Sequence, residues 1–266
     1  MLFPKKFINK DKLINELTGK TIVITGASSG IGEQLAYYLG ELTCHLILVA
    51  RREEKLLHIK KTINTAKVSV YKADLRNQDD RRGFLSFIYN LDTDIDFFVN
   101  NAGISIKRSI YDSLDRFHDF QRTMSINYFA PVEILLSIIP NLERSNGQII
   151  NVSTINTLLV PFPYFSAYEA SKQAFDTWFQ SVSPELNARG IFTTSIYLPL
   201  VRTPMIEPTK TYQTKPAMSP NHVAQIISQS MYKKKRSFKP WWIFGGEVLS
   251  LFLRRVWEKF GYRFLK

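Results

Sequence analysis

A phenol, an ammonium group and two hydroxyls lie within one short stretch of this chain, and together they could move a proton to or from a carbonyl oxygen. Residues 151–172 read NVSTINTLLVPFPYFSAYEASK. Tyr168 and Lys172 stand four apart, so on a helix they share a face. A phenol titrates near pH ~10 in isolation. An ammonium beside it favours the phenolate and brings it toward use as a general acid or base. Upstream, Ser153 and Thr154 each carry a hydroxyl that can bond a carbonyl oxygen. Neighbouring side chains of a strand point to opposite faces, so Ser153 and Thr154 should not both reach the tyrosine.

A second group of residues could hold an anion. TIVITGASSGIGEQLAYYLG reads as strand, glycine turn and helix, with Gly26, Gly30 and Gly32 in the turn. Such glycines allow a tight turn and close backbone approach, and the helix that follows points its N–H groups and positive dipole end at a pyrophosphate. The next strand ends LVARREE. Where an NAD site offers a carboxylate to the ribose, about 20 residues past the glycines, this chain places Arg51 and Arg52. A guanidinium there suits a 2′-phosphate, so NADP(H) is expected rather than NAD(H).

These groups need a scaffold. Apolar, β-rich runs at 21–25, 45–50, 68–73, 96–100, 148–153 and 193–198 alternate with helical patterns at about 30–40, 52–65, 78–90, 114–143, 166–189 and 219–233. Several strands are apolar throughout, as strands covered on both faces are. The expected fold is α/β: a doubly wound, Rossmann-like parallel sheet with helices on both faces. The chain divides into an N-terminal arm (1–19), a catalytic domain (20–232) and a C-terminal extension (233–266).

Composition narrows the function classes. The chain has 266 residues, 45% of them hydrophobic, enough for a full core. Cys44 stands alone, which excludes an internal disulfide framework and fits a reducing cytoplasm. The start, MLFPKKFINK, has no apolar signal region, and no uncharged apolar run approaches the ~18 residues of a membrane span. His45, His58, His118 and His222 are scattered, with no metal-ligand spacing. The net charge of +12 is concentrated at the C-terminal end, where 233–266 hold ten basic against two acidic side chains, a net +8. No nucleic-acid-binding motif accompanies that charge, so no nucleic-acid partner is expected.

Taken in order, TGASSGIG (25–32), ADL (73–75), NNAG (100–103), Asn127 in SINYF, YEASK (168–172) and PLVRT (199–203) resemble the short-chain dehydrogenase/reductase family from residue 20 to about 232. The resemblance implies that Gly26, Ser28, Gly30 and Ile31 line the phosphate and ribose path, with Gly32 completing the turn, and that Arg51 contacts the 2′-phosphate. Asp74 and Leu75 would flank the adenine; Asn101, Ala102 and Gly103 would close the cleft; Val201 and Thr203 would hold the carboxamide. Asn127 would position a relay water, and Lys172 would also bind the nicotinamide ribose. The family's carbonyl-binding serine falls on Thr154, one residue further from Tyr168 than is usual, and Leu200 replaces a usual glycine. Family members are commonly dimers or tetramers, so a homo-oligomer is implied.

Within the family, DRFHDFQRTMSINYF (115–129), NGQIINVST (146–154), FSAYEASK (165–172) and TSIYLPLVRTPMIEPTK (194–210) are similar to bacterial short-chain-type fatty acyl-CoA reductases. That implies a lipophilic carbonyl substrate, with acyl-CoA or fatty aldehyde as the narrower expectation. A weakly active or silent NADP(H)-binding protein on the same fold is the alternative.

The extension has its own pattern. Leu249, Phe252, Leu253, Val256, Trp257 and Phe260 recur at helical spacing, with Arg254, Arg255, Glu258 and Lys259 to the other side. This amphipathic helix could lie on an anionic membrane surface, with Lys233–Arg236 drawn to the lipid. It could equally pack on its own domain as a lid, or on a partner subunit.

Overall fold

Strand residues with apolar side chains on both faces need cover on both sides, and the sheet obtains it. A computed structural model describes residues 3–4, 7–207 and 209–264. β1 (Thr21–Thr25), β2 (His45–Ala50), β3 (Lys67–Lys72), β4 (Phe97–Asn100), β5 (Gln148–Thr154), β6 (Phe192–Leu198) and the short β7 (Ser237–Phe238) form one parallel sheet in the order β3-β2-β1-β4-β5-β6-β7. Six strands lie within a residue or so of their expected positions; β7 was not expected.

Alternation sorts the strand residues. Ile22, Ile24, Leu46, Leu48 and Ile150 pack with α1 (Lys10–Leu17), α2 (Gly30–Leu39), α3 (Glu53–Thr62) and α8 (Pro220–Lys233) through Leu13, Leu35, Leu56 and Val223. Val23, Ile47, Val49 and Ile149 pack with α4 (Gln78–Tyr89), α6 (Ala130–Arg144) and α7 (Ser166–Ala188) through Phe84, Ile134, Phe175 and Phe179. By length and composition the stretch Phe117–Arg144 could cross a membrane, but Ile134, Leu135, Ile138 and Leu142 are core residues against this sheet.

The sequence pattern predicts one helix over 114–143. The structure divides it into α5 (Phe117–Met124), a π-helical turn at Ser125–Phe129 and α6. The physical reason is Asn127, whose amide is drawn inward to partners off the helix. At β4 and β5 the paired residues Asn100 and Asn151 also bond through their buried amides, Asn100 Nδ2 donating to Asn151 Oδ1 at 3.2 Å.

The arm contains a regular helix: Asn9 caps α1 by accepting from the Lys12 N–H at 2.9 Å, and Leu13 and Leu17 are buried. In the extension, α9 (Ile243–Phe260) forms where the amphipathic pattern predicts a helix. The side chain of Arg254 and all of Lys266, parts of the expected basic surface, lie outside the described residues.

Candidate active site

Strand order reverses between β1 and β4, and the crevice beyond their carboxyl ends is where open α/β sheets bind ligands. A cavity of about 630 Å3 opens there, within the usual range for small-molecule and cofactor sites. The glycine turn forms one wall. Gly26 has φ +67, a left-handed conformation, and a Cβ there would sit 2.9 Å from the Ala102 Cα. Thr25 builds this contact: its Oγ1 accepts from the N–H groups of Asn101 and Ala102, both at 3.0 Å, while Asn101 Nδ2 donates to the Thr25 carbonyl at 2.9 Å. Thr25 begins the TGASSGIG run, but its type alone did not mark it as the residue that ties two loops together.

At the far end of this wall, Ser28, Arg51, Arg52, Asp74, Leu75 and Arg76 line the cavity. Arg51 is exposed. The guanidinium held in place is that of Arg52, with Nε and Nη2 donating to Ser28 Oγ at 3.2 and 3.1 Å. Asp74 forms a double-toothed pair with Arg76, whose hydrogen bonds hold the carboxyl below its ordinary pKa. Ile31 also lines the cavity, and Gly32 packs beneath the turn, where a Cβ would meet the Gly26 carbonyl.

On the opposite wall, Asn127 is buried in the π turn. Its Oδ1 accepts from the Ile104 N–H at 3.0 Å, and its Nδ2 donates to the Ile104 carbonyl at 3.0 Å and to Ser171 Oγ at 2.9 Å. Both amide donors are therefore committed to protein. A Cβ on Gly103 would lie 2.9 Å from Asn127 Oδ1 and 3.6 Å from Lys172 Nζ, so only glycine fits between them. Lys172 Nζ also donates to the Val152 carbonyl at 3.2 Å.

The two hydroxyls separate as strand alternation requires. Thr154 turns into the cavity, where its hydroxyl opposes the rise in the Tyr168 proton affinity. Its Oγ1 also accepts from the Asn156 N–H at 3.3 Å. The Asn156 amide donates to Glu169 at 2.8 Å, and the other Glu169 oxygen accepts from the Phe162 N–H at 2.9 Å. Asn156 and Glu169 thus hold the loop behind Thr154. No spacing rule in the sequence pointed to them. Ser153 donates the other way, to Asp176 Oδ1 at 3.5 Å, where Gln180 and Tyr197 also bond the buried carboxyl.

Burial sets the proton affinities here. It pushes the Tyr168 phenol up to about 12, against the opposing pull of the Thr154 hydrogen bond. It draws the Lys172 ammonium down to about 8, against the opposing pull of the Asp176 carboxylate. The sequence-based expectation of a phenol brought toward neutral pH by its lysine therefore differs from the balance of the chain's own groups, in which desolvation dominates.

The loop after β6 closes the cavity. Val201 pairs with Met218, and the Met218 N–H donates to the Leu200 carbonyl at 2.9 Å, so the leucine that replaces the usual glycine keeps a regular backbone role. Thr203 lies against Gly30, its Cγ2 3.0 Å from where a Cβ would be. The lining also includes Ile104, Ile155, Phe165, Met205, Tyr212 and Trp242, with Phe165 and Tyr212 stacked at 6.3 Å and Lys215 Nζ 5.8 Å over the Tyr212 ring.

Comparison with known proteins agrees with this geometry. A fatty acyl-CoA reductase of Acinetobacter baylyi is 42% identical over 221 residues, covering 82% of this chain and 75% of that protein. A fatty acyl-CoA reductase of Mycobacterium tuberculosis is 37% identical, covering 84% of this chain and 77% of its own. Among solved structures, a metagenomic short-chain oxidoreductase in complex with NADP superposes with a TM-score of 0.71 at 25% identity, covering 85% of this chain and 96% of that one. The family pattern described as short chain dehydrogenase matches residues 20–214, from the strand before the glycine turn into the loop that closes the cavity, and this chain belongs to that family.

Proposed function

We propose that this oxidoreductase is an NADP(H)-dependent reductase of lipophilic carbonyl compounds, acting on long-chain acyl-CoA thioesters or fatty aldehydes. One observation carries the reading: Thr154, Tyr168 and Lys172 line one cavity together with the guanidinium-bearing Arg51, Arg52 and Arg76 and the apolar Ile104, Ile155, Phe165 and Met205. The residues present fit a dinucleotide, because the glycine turn, the guanidinium-bearing Arg51 and Arg52, and Thr203 line one cavity at the carboxyl ends of the strands. Gly30, Ile31 and Ser28 would take the phosphates, Arg51 and Arg52 the 2′-phosphate, and Val201 and Thr203 the carboxamide. The bound cofactor would supply a hydride to the carbonyl carbon.

The chain's own groups complete the reaction. Tyr168, kept protonated by its high pKa, donates its proton to the carbonyl oxygen while Thr154 orients that oxygen. With an aldehyde the alcohol keeps the proton. With a thioester the oxygen returns it as the carbon–sulfur bond breaks, and the thiolate leaves as the protonated thiol. Lys172, held by the Val152 carbonyl and close to Gly103, would hold the ribose of the bound cofactor. Similarity to two named fatty acyl-CoA reductases supports the acyl-CoA form.

The test is oxidation of NADPH, compared with NADH, on a long-chain acyl-CoA in mild detergent with product analysis. Aldehyde and free CoA, formed with NADPH in preference, are expected. NADPH binding with no turnover of acyl-CoA, aldehyde or ketone would overturn the proposal in favour of a silent binding protein.

A further inference from the structure

The apolar stripe of α9 faces solvent instead of the domain. Phe252 is 75% exposed and Leu249 55%, and Phe244, Val248, Leu253 and Val256 are exposed along the same helix. A helix packed on its own domain buries such a stripe. Here the domain takes up the first turn, where Ile243 is buried and Gly246 lies against Leu159 of the loop that bears the exposed Phe162. Arg255 and Lys259 sit one turn apart beside the stripe, both exposed, and Lys233–Arg236 add an exposed basic segment just before β7, in which Lys234 pairs with Glu16 at 3.3 Å. Trp242, which precedes α9, lines the catalytic cavity.

We infer that α9 lies in the interface of a bilayer that carries anionic lipid, with the mouth of the cavity held at that surface. Charge selects this occupant. A second copy of the chain would bring one region of net +8 against another. A neutral apolar partner would cover the stripe and leave its flanking cations without counter-charge. An anionic bilayer offers an apolar layer for the phenylalanine and leucine side chains and negative headgroups at the level of the cations. A substrate dissolved in such a bilayer would meet the cavity near its apolar lining. The inference goes beyond the reductase reading and does not rest on it.

The test is co-sedimentation of the full chain with vesicles of phosphatidylcholine alone and of phosphatidylcholine mixed with phosphatidylglycerol. Partitioning onto the mixed vesicles is expected, weakened by salt. Phe252→Ser should lower it at least about tenfold, and Arg255→Gln or Lys259→Gln about fivefold each. All three positions are exposed, so folding, followed by melting temperature, should be retained. Equal partitioning by the parent and Phe252→Ser would overturn the inference. So would an α9-dependent dimer in sedimentation velocity, or binding to polyglutamate, if either occurs without vesicle binding. Turnover of a water-soluble aldehyde, measured alongside, separates the two readings: its absence with vesicle binding intact strikes the proposed reaction and leaves the bilayer inference standing.

Discussion

The catalytic cavity and α9 use polar bonds in opposite ways. Around the cavity, bonds join residues far apart in the chain: Thr25 with Asn101, Asn127 with Ile104 and Ser171, Lys172 with Val152. These fix reactive groups whose displacement by even about 1 Å can cost a hundredfold in rate. Along α9 the described polar pairing is short in range, as in Lys239 with Glu247, and the apolar side chains are left outward. Chemistry demands fixed positions and so draws on bonds that cross the fold. The proposed bilayer contact of α9 requires only a face.

The largest way to sharpen that contrast is Tyr168→Phe. Loss of the proton donor should lower turnover by roughly 10²–10⁴, while NADPH binding followed by fluorescence stays near that of the parent. Unchanged turnover would remove Tyr168 from the reaction. Next comes Asn127→Ala, which breaks three hydrogen bonds across the wall. Urea unfolding should show a loss of about 1–3 kcal/mol, with turnover falling as Gly103 and Lys172 lose their setting; an unaltered midpoint would mean that the wall is held by packing alone.

A pH profile tests the same region more gently. The Lys172 ammonium is present below about pH 8 and lost above it, whereas Tyr168 stays protonated up to about 12. The reductive rate should therefore decline as pH rises through about 8. Lys172→Arg keeps its charge and should move that decline upward. A decline at the same pH in both proteins would assign it to another group. Asn156→Ala is smaller again: it leaves the peptide N–H on Thr154 but removes the side chain that accepts from Thr154 Oγ1 and ties to Glu169. About a fivefold fall in kcat is expected, equivalent to one hydrogen bond of ~1 kcal/mol, with KM for NADPH unmoved. The smallest effect is expected at α9, where Phe252→Ser should leave the stability of the sheet domain within about 0.5 kcal/mol; a larger loss would show that the stripe packs on the domain after all.

Much of the scaffold was legible because β-branched runs such as TIVIT and HLILVA leave little freedom of assignment. Tyr168, Lys172 and the glycine turn were legible because each is a short local pattern. Alternation told that Ser153 and Thr154 part to opposite faces, and the family resemblance told which of them turns to the cavity. What escaped notice depends on partners distant in sequence. The π turn follows from the bonds of Asn127 to Ile104 and Ser171, which no helical period encodes. The bond of the Arg52 guanidinium to Ser28 joins the end of one strand to the glycine turn of another, which no local pattern records. The upward shift of Tyr168 was missed because it comes from desolvation, and spacing carries no record of how deeply a residue is buried.

The buried Asn100–Asn151 pair has a consequence for the whole reaction. A slip of β5 by one residue would send Thr154 toward Asp176 and Ser153 into the cavity, with every apolar residue of the strand turned to the wrong layer. Two amides facing each other across β4 and β5 match only in the native alignment. They act as an index mark on a sliding scale, so that the choice of which hydroxyl turns toward the cavity is made three residues upstream of it, by groups that do not line that cavity.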